Sequence, residues 1–405
     1  MADRRVTLRR RAGALPVALR IAIVYLAARV VTCGFLILAA ALSGPASRFG
    51  PDATVYDLLM GWDAQWYWFI AEHGYPSEIP VDQTGAVQQN QWAFMPVYPV
   101  LARIVALPLG CYPAGALLIP LVAGYLACLV LHRLLRDRLD ATASMWAVVL
   151  LAAGPLAAMF HMGYAESLFL LWLFLALRCL QRRRFGWLYV LVPLMAYTRP
   201  GVLAFALLLG LYGIRRWVRR RDDPLAGREI FHILALGAIG VVVGFSWPVI
   251  TGVVTGDMSA YLDTELSWRR GWVGDAHGGF VPFAGFVQAA GMWFRLWGMP
   301  AVAGYVALAL CVAASAWFLL RERHVRLLGV EVRLWSASYL VYLLAVFFPQ
   351  SSIFRLLLPL APLYGALAAP RSAWWRVAML VAGLAGQWWW IYSMLALGNT
   401  YTQIP

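Results

Sequence analysis

The chain has 405 residues, 62% of them hydrophobic and 13% charged, with a mean hydropathy of +0.70. Soluble domains are nearer 45–50% apolar and about 25% charged, so soluble globular, disordered and fibrous classes are excluded. The formal charge of +14 would suggest nucleic acid in a soluble protein; here all 33 basic residues are arginine, and their placement matters more than their sum.

Long apolar runs recur from end to end, which defines an all-α polytopic membrane protein. No polar stretch reaches domain size, so residues 1–405 read as a single domain. The cysteines Cys33, Cys111, Cys128, Cys179 and Cys311 lie in or beside apolar runs. Without metal-like spacing or obvious pairing, they read as small core residues. The first apolar run, 16–42, exceeds the about 7–15 residues of a signal h-region and reads as a retained helix.

Arginines then crowd at intervals. They precede the first run (Arg4, Arg5, Arg9, Arg10, Arg11). Further groups start at Arg133, Arg182, Arg215, Arg321 and Arg371. The positive-inside rule places all six groups in the cytoplasm. Eleven crossings satisfy that constraint: 17–42, 112–131, 142–160, 165–181, 185–198, 200–214, 230–254, 300–320, 334–348, 353–369 and 374–396. The N-terminus is then cytoplasmic and the C-terminus outside. The run 94–110 contains Pro96, Pro99, Pro108 and Arg103. A crossing there would reverse the later arginine groups, so it reads as an interfacial or re-entrant helix. Two large loops, 43–93 and 255–299, make the outer face, which carries more acids than arginines.

Polar chemistry is expected on that face. In the first loop, residues 56–73 have helical periodicity but are too short and too acidic to span, so they read as a helix on the outer membrane surface. Asp63 lies among Trp62, Trp66 and Trp68, with Tyr67 one turn on. Partial desolvation would make Asp63 a stronger base; the alternative is a solvated loop acid. Next, His161 and Glu166 sit at the outer end of the third and fourth crossings. An ionisable group inside a membrane segment usually faces a cavity, although Glu166 could equally serve its helix N-terminus and His161 alone favours a structural role. Arg199, in Tyr197-Thr198-Arg199-Pro200, and Arg355, in Gln350-Ser351-Ser352-Ile353-Phe354-Arg355, violate the inside bias. A guanidinium fork at bilayer height suits a phosphate; snorkelling to lipid headgroups is the competing reading. Loop 255–299 holds Asp257, Asp263, Glu265, Trp268, Arg269, Arg270, Trp272, Asp275 and His277, a set that fits a sugar platform and also an ordinary interfacial loop. There is no glycine-rich phosphate loop and no zinc-type spacing.

Four segments, in order, carry a resemblance. They are Trp62-Asp63-Ala64-Gln65-Trp66-Tyr67-Trp68-Phe69-Ile70-Ala71 with Gly74-Tyr75; Phe94-Met95-Pro96-Val97-Tyr98-Pro99; Tyr164-Ala165-Glu166-Ser167-Leu168-Phe169; and Thr198-Arg199-Pro200. Together they resemble the GT-C superfamily of integral membrane glycosyltransferases, nearest the PIG-V-type mannosyltransferases and their bacterial relatives. Met95 stands where that pattern has a second aromatic. The motif-bearing part is 1–214, and 215–405 matches in layout rather than motif.

The resemblance implies a GT-C-like bundle in the cell membrane with an extracytoplasmic site. It implies transfer of mannose from polyprenyl-phosphate-mannose to an envelope glycolipid or glycan, with inversion. Asp63 would be the general base, Arg199 and Arg355 the phosphate ligands. Glu166 would orient hydroxyls, with Tyr67, His161 and Trp62 completing substrate binding. No metal or other cofactor is demanded by these residues, although one acid pair has the chemistry to hold a divalent ion. Expected partners are the lipid donor, the acceptor and membrane lipids, with no nucleic acid. A lipid or solute transporter is the alternative, since proline-broken helices and intramembrane charges fit one too. No internal repeat supports it. A non-catalytic scaffold is a third reading.

Overall fold

The computed structural model describes residues 15–273, 279–398 and 405. The N-terminal arginines, Asp275 and His277 lie outside the described residues. Within them the chain is all-helical, with one isolated bridge between Val81 and Val87 in place of any strand. In chain order the helices are α1 (Val17–Ala41), α2 (Val55–Met60), α3 (Asp63–His73), α4 (Val97–Ala106), α5 (Tyr112–Arg136), α6 (Ala141–Ala152), α7 (Glu166–Gln181), α8 (Phe185–Ala196) and α9 (Val202–Val218). They continue as α10 (Gly227–Thr255), α11 (Ala260–Val273), α12 (Ala284–Leu296), α13 (Ala301–Arg321), α14 (Arg323–Leu327), α15 (Val330–Val346), α16 (Ile353–Leu356), α17 (Tyr364–Ala368) and α18 (Ala373–Trp390).

Among the described residues, five segments are long and apolar enough to cross a bilayer: α1, α5, α10, α13 and α18 with its extension to Leu397. The other expected crossings fall on shorter or broken helices. Those at 142–160 and 353–369 are interrupted. The second breaks after Leu356 into a 3-10 stretch, Leu358–Leu363, before α17. Pro359 and Pro362, three residues apart, both lack a backbone donor, which weakens the α-helical ladder in this stretch. The indole of Trp335 bonds the Pro359 carbonyl at 2.9 Å instead. Two further differences concern the outer loops. The expected surface helix 56–73 is divided at Gly61–Trp62 into α2 and α3, and the expected loop 255–299 contains α11 and α12.

The core is organised around α7, most of whose side chains are buried. It packs against α5, α8, α15 and the 3-10 stretch. Large apolar side chains on α1, α10 and α13 point outward (Val30, Val253, Leu310), which fits a hydrocarbon surround. Close approach between helices depends on small residues, as membrane bundles generally do. Gly124 of α5 is the clearest case: a Cβ there would lie 2.5 Å from the Tyr25 hydroxyl and 2.6 Å from a ring carbon of Phe160.

Two intramembrane arginines find backbone acceptors. Arg29 of α1 donates to the carbonyls of Ala157, at 2.6 Å, and of Ala152. It thereby satisfies the C-terminal end of α6, whose last carbonyls lack helical partners. Arg103 of α4 donates at 2.7 Å to Ala71 in the last turn of α3. At ten residues, α4 is about 15 Å long, half a hydrocarbon core. Gly124→Val is expected to lower stability by about 1–3 kcal/mol through overpacking, read as a reduced midpoint in thermal unfolding of the detergent-solubilised protein.

Candidate functional site

The first outer segment is shaped to hold Asp63. Thr54 and Asp57 form a reciprocal capping box at the start of α2. The chain then turns sharply at Gly61, where a Cβ would lie 2.6 Å from the Asp57 carbonyl. Trp62 follows with φ +54°. Its indole donates to the Leu395 carbonyl at 3.3 Å, and the Arg48 guanidinium lies 4.9 Å from its ring. Trp62 therefore anchors this turn to the C-terminal segment Ile391–Leu397 and is not among the residues lining the cavity. Asp63 becomes the first residue of α3, where the helix dipole favours a carboxylate. Its backbone N–H donates to the Tyr164 hydroxyl at 3.3 Å.

Arg355 of α16 meets Asp63 from the other end of the chain, its Nη1 donating to the Asp63 carboxylate. The same guanidinium places Nε 3.4 Å from Oε1 of Glu166, the first residue of α7. Arg199, in the link between α8 and α9, pairs with that same Oε1. The result is a line of alternating charge, Asp63–Arg355–Glu166–Arg199. The side-chain exposures along it are 25%, 10%, 4% and 13%. Desolvating single charges costs several kcal/mol, so only a mutually neutralising set is tolerated there. Tyr164, fully buried, sits under the Arg355 guanidinium at 5.3 Å.

These four residues line one end of a cavity of about 580 Å³. Tyr67, one turn after Asp63, also lines it, held edge-on by Phe94 and Tyr98 with ring centroids 5.2 and 4.8 Å away. The motif Phe94–Pro99 is tied to the Arg199 link through the Val97 N–H, which donates to the Tyr197 carbonyl at 2.9 Å. Met95 packs with Trp92 and Trp247. His161 does not line the cavity. Its Nδ1 is 2.9 Å from Arg29 Nη1 and its Nε2 is 3.3 Å from Cys33 Sγ. Of the seven expected site residues, five converge; His161 and Trp62 face other partners.

Further parts of the cavity wall come from α11 and α15. Tyr261, Glu265, Trp268 and Arg269 of α11 line it, as do Tyr339 and Tyr342 of α15. Burial pushes the Glu265 carboxyl up to about 7, the Tyr261 hydroxyl opposes that shift, and the nearby charge of Asp63 adds to it. Helical spacing within 260–273 was the signal for this wall in the sequence, where Trp268 and Glu265 stood in a mixed aromatic and acidic loop. Tyr164 carried no signal beyond its place in a short motif. Among the described residues, no three His, Cys, Asp or Glu gather as a metal-binding group.

No family model matches the sequence, and no curated protein matches it. Among solved structures, the chain is similar to the Archaeoglobus fulgidus oligosaccharyltransferase crystallised with Zn and sulfate. That match has 16% identity and a TM-score of 0.46, covering 92% of this chain and 53% of that one. A second similar structure is the archaeal oligosaccharyltransferase AglB from Archaeoglobus fulgidus with an inhibitory peptide and a dolichol-phosphate. Here identity is 14% and the TM-score 0.46, covering 95% and 56%. The chain spans about half the length of these structures.

The charge line makes a quantitative demand. Arg355→Gln alone should destabilise the protein by about 3 kcal/mol, because it strands the Asp63 carboxylate, while Glu166 keeps its pair with Arg199. Combining it with Asp63→Asn should recover at least about 1 kcal/mol relative to additivity. Unfolding midpoints of the two single variants and the double variant check this.

Proposed function

We propose that the protein is an integral membrane glycosyltransferase. On this reading it moves mannose from polyprenyl-phosphate-mannose to a hydroxyl of an envelope glycolipid or glycan on the extracytoplasmic side. The observation that carries the reading is the charge line. Two guanidinium groups and two carboxylates converge at one end of a cavity, on the motifs that resemble this class of transferase.

In this mechanism Arg355 and Arg199 receive the donor phosphate. Both already hold carboxylates, so phosphate binding is an exchange of anionic partners rather than the burial of a new charge. As Arg355 turns to the phosphate, Asp63 loses its counter-ion and its carboxylate becomes available as a base. It accepts the proton of the acceptor hydroxyl. That oxygen forms a bond to the anomeric carbon while the carbon–oxygen bond to phosphate breaks. The electron pair leaves with the polyprenyl phosphate, and attack from the opposite face turns a β-linked donor into an α-glycoside. Stabilising the departing phosphate charge is the larger electrostatic task, and it falls to the two arginines. Glu166 keeps both guanidinium groups aimed at the cavity.

The extracytoplasmic side is supported by α7. Glu166 opens this helix, and Arg182, Arg183 and Arg184 follow its last residue. Its 16 residues separate site from arginine cluster by about 24 Å, so an inside cluster leaves the site at the outer end.

Asp63→Asn is expected to reduce sugar transfer from labelled polyprenyl-phosphate-mannose by roughly 100-fold or more, with donor binding retained. Near-normal turnover would remove Asp63 from the chemistry. Arg355→Ala should weaken donor binding by about tenfold or more; unchanged affinity would return Arg355 to a structural role.

A further inference from the structure

Three acidic side chains among the described residues line the cavity, and one of them stands apart. Asp63 and Glu166 are paired with arginines. Glu265, on α11, has no ion-pair partner among the described residues, and its neighbour is the Tyr261 hydroxyl. Its position follows from helix geometry: Tyr261, Glu265, Trp268 and Arg269 are spaced i, i+4, i+7 and i+8, which places them on one face of α11. That face is the one lining the cavity.

The helix is held firmly. Asn90 donates to Thr264 at 2.9 Å, and Trp247 packs near Tyr261. Arg269 donates to Gln288 of α12 at 3.2 Å. Trp268 meets Trp66 and Phe94 edge-on, with centroids 6.0 and 5.9 Å away, and still borders the cavity.

We propose that the cavity-facing stripe of α11 is the binding subsite for a neutral sugar ring of the acceptor, with Glu265 receiving its hydroxyl hydrogen bonds and Trp268 supplying its apolar contact. An indole covers the C–H face of a pyranose, and an unpaired carboxylate is an acceptor with free lone pairs for hydroxyl donors. A phosphate placed beside Glu265 would meet like charge, so the ring hydroxyls at that carboxylate are unphosphorylated. The subsite shares the cavity with the arginines assigned to the donor phosphate, and its role as the acceptor's site rests on the transferase reading.

The carboxylate form is the hydrogen-bond acceptor, and burial keeps its titration near neutrality, at about 7. Binding should therefore be strong above that value and fade as pH falls through it. The titratable and charged side chains that line the cavity with Glu265 are Tyr261 and Arg269 on α11, Asp63 and Tyr67 on α3, Tyr339 and Tyr342 on α15, and Glu166, Arg199 and Arg355. Of these, Asp63 is the one whose charge raises the Glu265 carboxyl.

The full chain in lipid nanodiscs is titrated with methyl α-mannopyranoside at pH 5.5 and pH 8, and separately with polyprenyl phosphate. Wild type should bind the mannoside roughly tenfold more weakly at the lower pH. Glu265→Gln should bind it roughly tenfold more weakly at pH 8 and lose the pH dependence. Trp268→Ala should weaken binding and keep the pH dependence. Both variants should bind polyprenyl phosphate as wild type does. Wild-type affinity and pH profile in Glu265→Gln, or no mannoside binding by a wild type that binds polyprenyl phosphate, would overturn the subsite. Failure of wild type to bind polyprenyl phosphate would instead count against the donor reading. Should Glu265→Gln not fold, Asp63→Asn decides: the midpoint of the pH dependence must move to lower pH, and an unmoved midpoint overturns the proposal.

Discussion

The Arg355 guanidinium, set between the carboxylates of Asp63 and Glu166, is the contact on which the site depends. It joins the first outer segment to a four-residue helix near the other end of the chain, 292 positions away. A lone charge at this depth would be costly, and a pair with unmatched neighbours little better. Four alternating charges solve the problem by mutual neutralisation.

The surrounding structure serves to hold that line open. Proline interrupts the helix after Arg355, which leaves the guanidinium on a short turn rather than inside a long span. Gly61 and Trp62 turn the chain so that Asp63 begins α3. Arg29 and Arg103 donate to backbone carbonyls at helix ends, whereas Arg199 and Arg355 pair with carboxylates that line the cavity. In a bilayer every polar group needs an internal partner. The distinction between the two kinds of arginine is therefore what each one bonds.

Much of this was legible in order along the chain. Asp63, Glu166, Arg199 and Arg355 were marked by chemistry out of place: an acid among tryptophans, an acid inside an apolar helix, and arginines on the face expected to be arginine-poor. Tyr67, Trp62 and His161 were marked only by adjacency to these motifs; Tyr67 lines the cavity and the other two do not. Arg29 draws His161 toward α1, while Trp62 reaches the carbonyl of Leu395. Glu265 and Trp268 lay in a segment that read as loop, because its charges mask the apolar face of α11. Tyr164 lies under the Arg355 guanidinium, a pairing across nearly two hundred residues that no local pattern encodes.

Amino-acid order alone determined the all-helical membrane character, the sequence positions of most apolar helices and the residues rich enough in chemistry to matter. Those properties follow from hydropathy and charge over windows of twenty residues or fewer. Tertiary structure decided which charges meet, which expected residues face elsewhere, where a crossing breaks, and that α11 forms a wall of the cavity. Those outcomes follow from neutralising buried charge and satisfying backbone groups across the whole bundle, where partners lie far apart in the chain.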